Sequence, residues 1–184
     1  MIEISFDEKR IKKAQQLALL APKEAAKAAA TSINRTLIFI RKEASVESRK
    51  RYLVKASAVK SSFGTKKATS GSLSGETETK GSPISLTAFK VTRPRRGPMK
   101  AKVLRQGSVK PVPGLFVNDE SSYRGPMLRL GQRRYPLKSP AGPSVPQMVG
   151  NENVLPMIAK NAGDYLNRRL DHELDFRMTK LLGG

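Results

Sequence analysis

The side chains able to make or break bonds are few. The one histidine, His172, stands between Asp171 and Glu173, and there is no cysteine. Without cysteine, disulfides, thiolate catalysis and Cys-based zinc sites are excluded, and a single histidine leaves little scope for His-based metal binding or a histidine relay. The spacing of His172 from Arg168, Arg169 and Asp175 reads instead as the charged outer face of a helix. Ser57-Ala58-Val59-Lys60 has the S-x-x-K spacing in which a lysine activates a serine, but the motifs that accompany it are missing. Gly71-Ser72-Leu73-Ser74-Gly75 lacks the third glycine of a dinucleotide loop and the Gly-Lys of a phosphate-binding loop. Asp and Glu total fifteen, with no close pair that has an evident partner, so a metal-dependent nuclease would lack ligands. The expectation is a protein that is not an enzyme and holds no cofactor or metal.

Charge is the chemistry the chain has in excess. Its net charge is +20, and residues 49–118 hold sixteen Lys/Arg against two Asp/Glu. A field of that size favours anionic partners. Within it, Arg93, Arg95 and Arg96 sit in a proline-flanked loop, Thr92-Arg93-Pro94-Arg95-Arg96-Gly97-Pro98, followed by Lys100, Lys102 and Arg105. These six residues are the expected surface for DNA phosphates or for acidic protein. The loop lacks the Gly-Arg-Pro core of a minor-groove reader. Of the aromatics near the basic runs, Tyr52, Phe63 and Phe89 fit a core better than a stacking platform. Contact without sequence readout follows.

The elements that must carry this surface are short, except for the helices. Asp7 is a plausible N-cap for a helix to residue 20, with Ile11, Ala14, Leu17, Ala18 and Leu20 as its stripe. Pro22 then opens a second helix to about residue 48, alanine-rich at first and carrying Ile33, Leu37, Ile40 and Ala44 on one face. Asn34-Arg35-Thr36 reads as its polar face. Tyr52–Val54 is a short strand, Ser57 caps a brief helix to Phe63, and Ser72–Thr79 is another strand. Residues 100–105 and 108–110 form a hairpin around Gln106-Gly107, Leu115–Val117 and Met127–Leu130 are strands, and Ser121–Gly125 is a turn. Together these make a small antiparallel sheet of about five strands. The last helix, from about Glu152 to Leu182, has Ile158, Ala162, Leu166, Leu170, Leu174 and Met178 at steps of four, with Pro156 in its first turn. A helix of about 30 residues spans about 45 Å, more than such a sheet covers. Its far end must pack on the N-terminal helices or on another copy. Ile33, Leu37, Ile40, Ile158, Leu166, Leu170 and Leu174 are therefore the candidate packing residues, within or between subunits. Between sheet and helix lies Arg133–Ser144, where Pro136, Pro140 and Pro143 remove backbone donors. Pro136, Gly142 and Pro143 mark it as a rigid extended connector to the C-terminal helix.

The fold class expected is α+β: a small antiparallel β-sheet with N-terminal helices and a long C-terminal helix. Residues 1–184 read as one domain, in which 1–50 is helical, 51–146 is a basic β-rich body and 147–184 is the C-terminal helix. The 38% apolar and 5% aromatic content makes for a thin core. Met1–Glu8 does not read as a signal peptide and no run approaches a membrane span, so no membrane partner and synthesis in a reducing cytoplasm are expected.

Five stretches occur in an order that resembles the minor tail protein Z family, the tail-completion proteins of long-tailed bacteriophages. They are Ile33-Asn34-Arg35-Thr36, Ile84-Ser85-Leu86-Thr87-Ala88-Phe89, Pro113-Gly114-Leu115-Phe116-Val117, Leu128-Arg129-Leu130-Gly131, and Tyr135-Pro136-Leu137 with Gly142-Pro143-Ser144. The helical Leu166-Asn167-Arg168-Arg169-Leu170 also suits it. The basic, Gly/Ser-rich stretch between residues 55 and 82 departs from the pattern. The resemblance implies a virion protein at the head-proximal end of the tail or in the neck, needed for joining heads to tails. It implies a homo-oligomeric ring around the DNA channel, a hexamer by the symmetry of the neck. Its partners would be other tail and neck proteins such as the tail terminator, the connector and the tape measure, and genomic DNA touched through its backbone. The other reading the residues allow is a free basic nucleic-acid-binding protein, ribosome- or nucleoid-associated.

Overall fold

A computed structural model describes residues 8–118 and 125–183, and the fold is α+β. In chain order the elements are α1 (Glu8–Leu20), α2 (Pro22–Arg51), α3 (Ala56–Ser61), β1 (Phe63–Lys66), β2 (Glu76–Thr79), a 3-10 turn (Leu86–Ala88), β3 (Lys90–Thr92), β4 (Lys100–Lys102), β5 (Lys110–Pro111), β6 (Leu115–Asn118), β7 (Gly125–Arg129), β8 (Leu137–Lys138), α4 (Val145–Val149) and α5 (Leu155–Leu182). They group into two compact units that do not follow chain order: residues 1–44, 63–78 and 152–184, and residues 45–62 and 79–151. None of the helices among the described residues is long and apolar enough to cross a membrane.

The first unit is helical. Pro22 occupies the first position of α2, where a missing N–H costs nothing. Leu17 of α1, Ala28 of α2, and Leu170 and Leu174 of α5 are buried together, with Ala14, Ala21, Ala25 and Met178 packed around them. The alanines keep side chains short where three helices meet, and each buried leucine contributes about 1.5–3 kcal/mol. Charged pairs flank this core. Arg10 Nε donates to Asp171 Oδ2 at 2.9 Å, and Lys13 Nζ to Asp175 Oδ1 at 2.8 Å. Arg177 bridges to Glu24 and, at 3.7 Å, to the buried Glu173, which also accepts from Arg169 at 2.9 Å. Further along α2 and α5, the rings of Phe39 and Tyr165 stack with centroids 4.2 Å apart. The far end of α5 thus packs on α1 and α2, as one of the two expectations had it.

The second unit holds two three-stranded antiparallel sheets, with orders β3-β4-β5 and β6-β7-β8; β1 and β2 form a separate hairpin in the first unit. The single five-stranded sheet expected from the sequence is therefore replaced by three small ones. Pro94, Gly97, Pro98, Gly107, Pro113 and Gly114 end each run within a few residues, and Gly107 (φ +91°) and Gly114 (φ +72°) turn the chain where other residues would be strained. The strand expected over 100–105 is split. Lys100–Lys102 pairs with β3 and β5, whereas Val103–Arg105 bonds to the end of α2 and the residues after it, through Leu53 N–H to Val103 O and Arg105 N–H to Arg51 O. Tyr52 makes one bridge, to Leu104, in place of a strand. Ser57 lies inside α3, whose N-cap is the extended Lys55, so Ser57 is no cap. The strand expected over 72–79 is shortened to β2, because Thr69 and Ser72 close a turn on each other. The N-cap expected at Asp7 and all but the last residue of the turn at Ser121–Gly125 lie outside the described residues.

Candidate anionic-partner surface

The β3–β4–β5 sheet is built so that one face is cationic. Side chains alternate along a strand, and residues opposite one another share a face. The register sets Lys90 opposite Lys102, Val91 opposite Ala101, and Thr92 opposite Lys100. Lys90, Lys100 and Lys102 therefore share one face, and Val91 and Ala101 the other. The β3–β4 connection at the end of this sheet carries Arg93, Arg95 and Arg96, all exposed. Lys100 and Arg105 are exposed and Lys102 is half-buried. Arg105 is committed in part, since its Nε donates to the carbonyl of Arg49 at 2.5 Å.

Two features distinguish this from an ordinary solvated charge run. The first is the pairing of Lys90 with Lys102, since like charges directly opposite on an antiparallel pair are destabilising. The second is the absence of compensation. Residues 45–62 and 79–151 hold nineteen Lys/Arg against three Asp/Glu, net +16 of the chain's +20. Of the three acids, Asp119 and Glu120 lie outside the described residues, and Glu47 is buried and salt-bridged to Lys50 at 2.6 Å. Among the described residues no carboxylate pairs with Lys90, Arg93, Arg95, Arg96, Lys100 or Lys102. Such a surface can take phosphates or carboxylates along its length.

The other residues singled out by sequence fall as follows. Leu37, Ile158, Leu166, Leu170 and Leu174 are buried within the chain, and Ile33 and Ile40 are half-buried. Ile33 and Leu37 close on Gly75, where an added Cβ would lie 2.8 Å from Ile33 Cγ2 and 2.9 Å from Leu37 Cδ1. Arg133–Ser144 does not run into the long helix. It contributes β8 at the edge of its sheet, bridges Ser85 through Ala141, and ends at α4, a separate short helix. Ser144 caps α4 in a capping box with Gln147, so a separate helix starts directly after the connector and ends at Gly150, before α5. Gly142 is set by close approach: a Cβ there would stand 2.6 Å from Phe89 Cε2. Pro136 follows a cis peptide bond and accepts at its carbonyl from Leu130 N–H.

Three groupings are not among those singled out from the sequence. Asn34 is more than a polar face residue: its Nδ2 donates to Ala68 O and its Oδ1 accepts from Ala68 N–H, both at 2.8 Å, in the manner of a strand partner. Arg129 lies over the ring of Phe116 at 5.0 Å, and Arg134 over that of Tyr135 at 5.7 Å. The adjacency of Arg134 and Tyr135 was a usable signal, whereas Arg129 and Phe116 meet only through strand register. His172 is exposed on α5, and among the described residues no group of three His, Asp or Glu side chains could hold a metal ion. Comparison of the chain with family models, with curated proteins and with solved structures finds no match.

Proposed function

We propose that this chain is a structural protein of a tailed-phage virion, a tail-completion or neck component that works as a ring of copies at the head-proximal end of the tail. Its basic unit would face the DNA in the channel or acidic surfaces of neighbouring tail and head proteins. The observation that carries the reading is the uncompensated cationic face of β3 and β4, where Lys90 and Lys102 oppose each other without a carboxylate. A polyanion laid across that face would turn a repulsive pair into a binding site. The choice of a phage neck over another polyanion-binding setting rests on the ordered resemblance. Four of its five stretches, those between Ile84 and Ser144, meet in space, which supports reading them together. Leu86 N–H donates to Pro140 O, Gly142 N–H donates to Ile84 O, and Leu115 stands opposite Leu128 in register.

The test replaces Arg93, Arg95 and Arg96 with Glu and counts joined particles and infectious virions. The expected result is separate heads and tails in excess and few infectious particles. Unchanged numbers of both would remove the assigned role. A protein that stays a small monomer in gel filtration and binds free duplex DNA with a steep salt dependence would favour the other reading, a free nucleic-acid-binding protein.

A further inference from the structure

The second sheet of the basic unit carries a different kind of cationic site. Along β6, β7 and β8 the register places Phe116 opposite Met127, Asn118 opposite Gly125, and Arg129 opposite Leu137. Phe116, Asn118, Arg129 and Leu137 thus share one face. With Arg134 and Tyr135 they line a concave pocket of about 270 Å³. Among the described residues no acidic side chain lines it.

Its two arginines are held by rings, not by carboxylates. The guanidinium of Arg129 lies 5.0 Å from the centre of the Phe116 ring, and that of Arg134 lies 5.7 Å from the centre of the Tyr135 ring. A guanidinium stacked on an aromatic face keeps its N–H edge for another partner, and that edge matches the oxygens of a phosphate in pairs. Tyr135 itself is 64% exposed, so much of its ring remains open. The pocket falls just below the range of small-molecule sites, a size for a phosphate and not for a whole nucleotide. A planar group attached to that phosphate would lie outside it, against Tyr135.

We propose that this pocket binds a nucleotide unit, with its phosphate between Arg129 and Arg134 and its base stacked on Tyr135. Phosphate and base are supplied equally by a mononucleotide and by a residue of a single strand. The site differs in kind from the lysine face of β3 and β4, which offers charge without rings. Stacking also gives it a preference for unpaired bases.

Calorimetric titration of the full chain with AMP, adenosine, inorganic phosphate and a ten-residue oligothymidylate tests the assignment. AMP should bind more tightly than inorganic phosphate, and adenosine more weakly than AMP. Tyr135→Ala should weaken AMP by roughly fivefold or more, the loss of one base–aromatic stack, and leave inorganic phosphate unchanged. Arg134→Lys keeps the charge and removes the planar fork, so it should weaken AMP and phosphate together. The Arg93, Arg95 and Arg96 to Glu variant should bind AMP as the unaltered chain does. In the unaltered protein, AMP should slow phenylglyoxal modification of Arg129 and Arg134 and leave that of Arg93 unaffected, a readout that needs no variant to fold. Oligothymidylate binding far tighter than AMP, with the same sensitivity to Tyr135→Ala, identifies a strand as the source; equal binding identifies the mononucleotide. AMP no tighter than inorganic phosphate, or AMP binding indifferent to both substitutions, would overturn the proposal.

Discussion

Replacing Lys102 with Glu should make the protein more stable and bind polyanions less well. The register puts Lys102 directly opposite Lys90. Side chains so placed have Cβ atoms about 4.5–5.5 Å apart, and the pair is worth about 0.2–1 kcal/mol, unfavourable for like charges and favourable for opposite ones. Reversal removes the first and adds the second, a gain of about 0.4–2 kcal/mol. Lys90 is exposed and Lys102 only half-buried, so screening by water keeps the value in the lower half of that range. At about 2–4 °C per kcal/mol for a chain of this size, the melting temperature should rise by about 1–4 °C. The assay is a thermal melt followed by circular dichroism at about 0.01 M and about 1 M salt, where the Debye length falls from about 30 Å to about 3 Å. The rise should shrink at high salt. In parallel, the dependence of duplex binding on salt should flatten by about 0.9 in logarithmic slope for each phosphate the variant no longer neutralises. A melting temperature that stays level or falls at low salt, with an unchanged slope, would refute the account of this face.

Three further outcomes follow from particular side chains. Gly142→Ala forces a Cβ to within 2.6 Å of the Phe89 ring, so it should cost about 1–3 kcal/mol, read as a lower melting temperature, and Phe89→Leu in the same chain should restore part of the loss. Asn34→Ala leaves both backbone groups of Ala68 without their partner and should cost about 1–3 kcal/mol, with faster amide exchange at Ala68; Asn34→Asp sets a carboxylate oxygen against Ala68 O, so it should not recover the loss. Hydrogen bonds from Lys27 and then Arg177 hold the Glu24 carboxyl below its ordinary value of 4.5. Because the folded value is the lower one, the stabilisation is complete above the ordinary value and is lost as pH falls through the folded one. The melting temperature should therefore drop more between about pH 5 and about pH 3 in the unaltered protein than in Glu24→Gln.

What could be read from the sequence was set by the range of the signal. Helices α1, α2 and α5 declare themselves because their apolar stripes repeat over several turns and Pro22 marks a start. Strands of two to five residues leave no such repeat. Residues 100–105 look like one strand, yet Lys102 and Val103 belong to different pairings, a division made by contacts with residues about fifty positions away. The capping box at Ser144 and Gln147 was present in the sequence, but the surrounding prolines disguise the short helix it begins. At the candidate surface, the arginines of the 93–96 loop were legible as charge density. Lys90 was not, since its meaning comes from facing Lys102. The role of Asn34 was hidden for the same reason, because Ala68 reaches it across thirty-four residues of chain.

The two units use the same side chains to opposite ends, and that contrast is a stronger argument than the total charge. Residues 1–44, 63–78 and 152–184 hold sixteen Lys/Arg against twelve Asp/Glu, and their cations are spent in pairs: Arg10 with Asp171, Lys13 with Asp175, Arg169 with Glu173, Arg177 with Glu24. There Arg10, Lys13 and Arg177 tie one helix to another. In the other unit the cations outnumber the acids nineteen to three, and two of the lysines oppose each other on one sheet. A chain selected only for solubility would gain nothing from placing like charges directly across a strand pair. Neutralising a cation in the first unit should therefore show as lost stability with little change in polyanion affinity. Neutralising one on the β3–β4 face should show the reverse. Arg10→Gln and Lys100→Gln, measured side by side by thermal melt and by salt-dependent duplex binding, separate the two uses. If both variants lose stability and neither loses affinity, the basic face is structural and the polyanion reading fails.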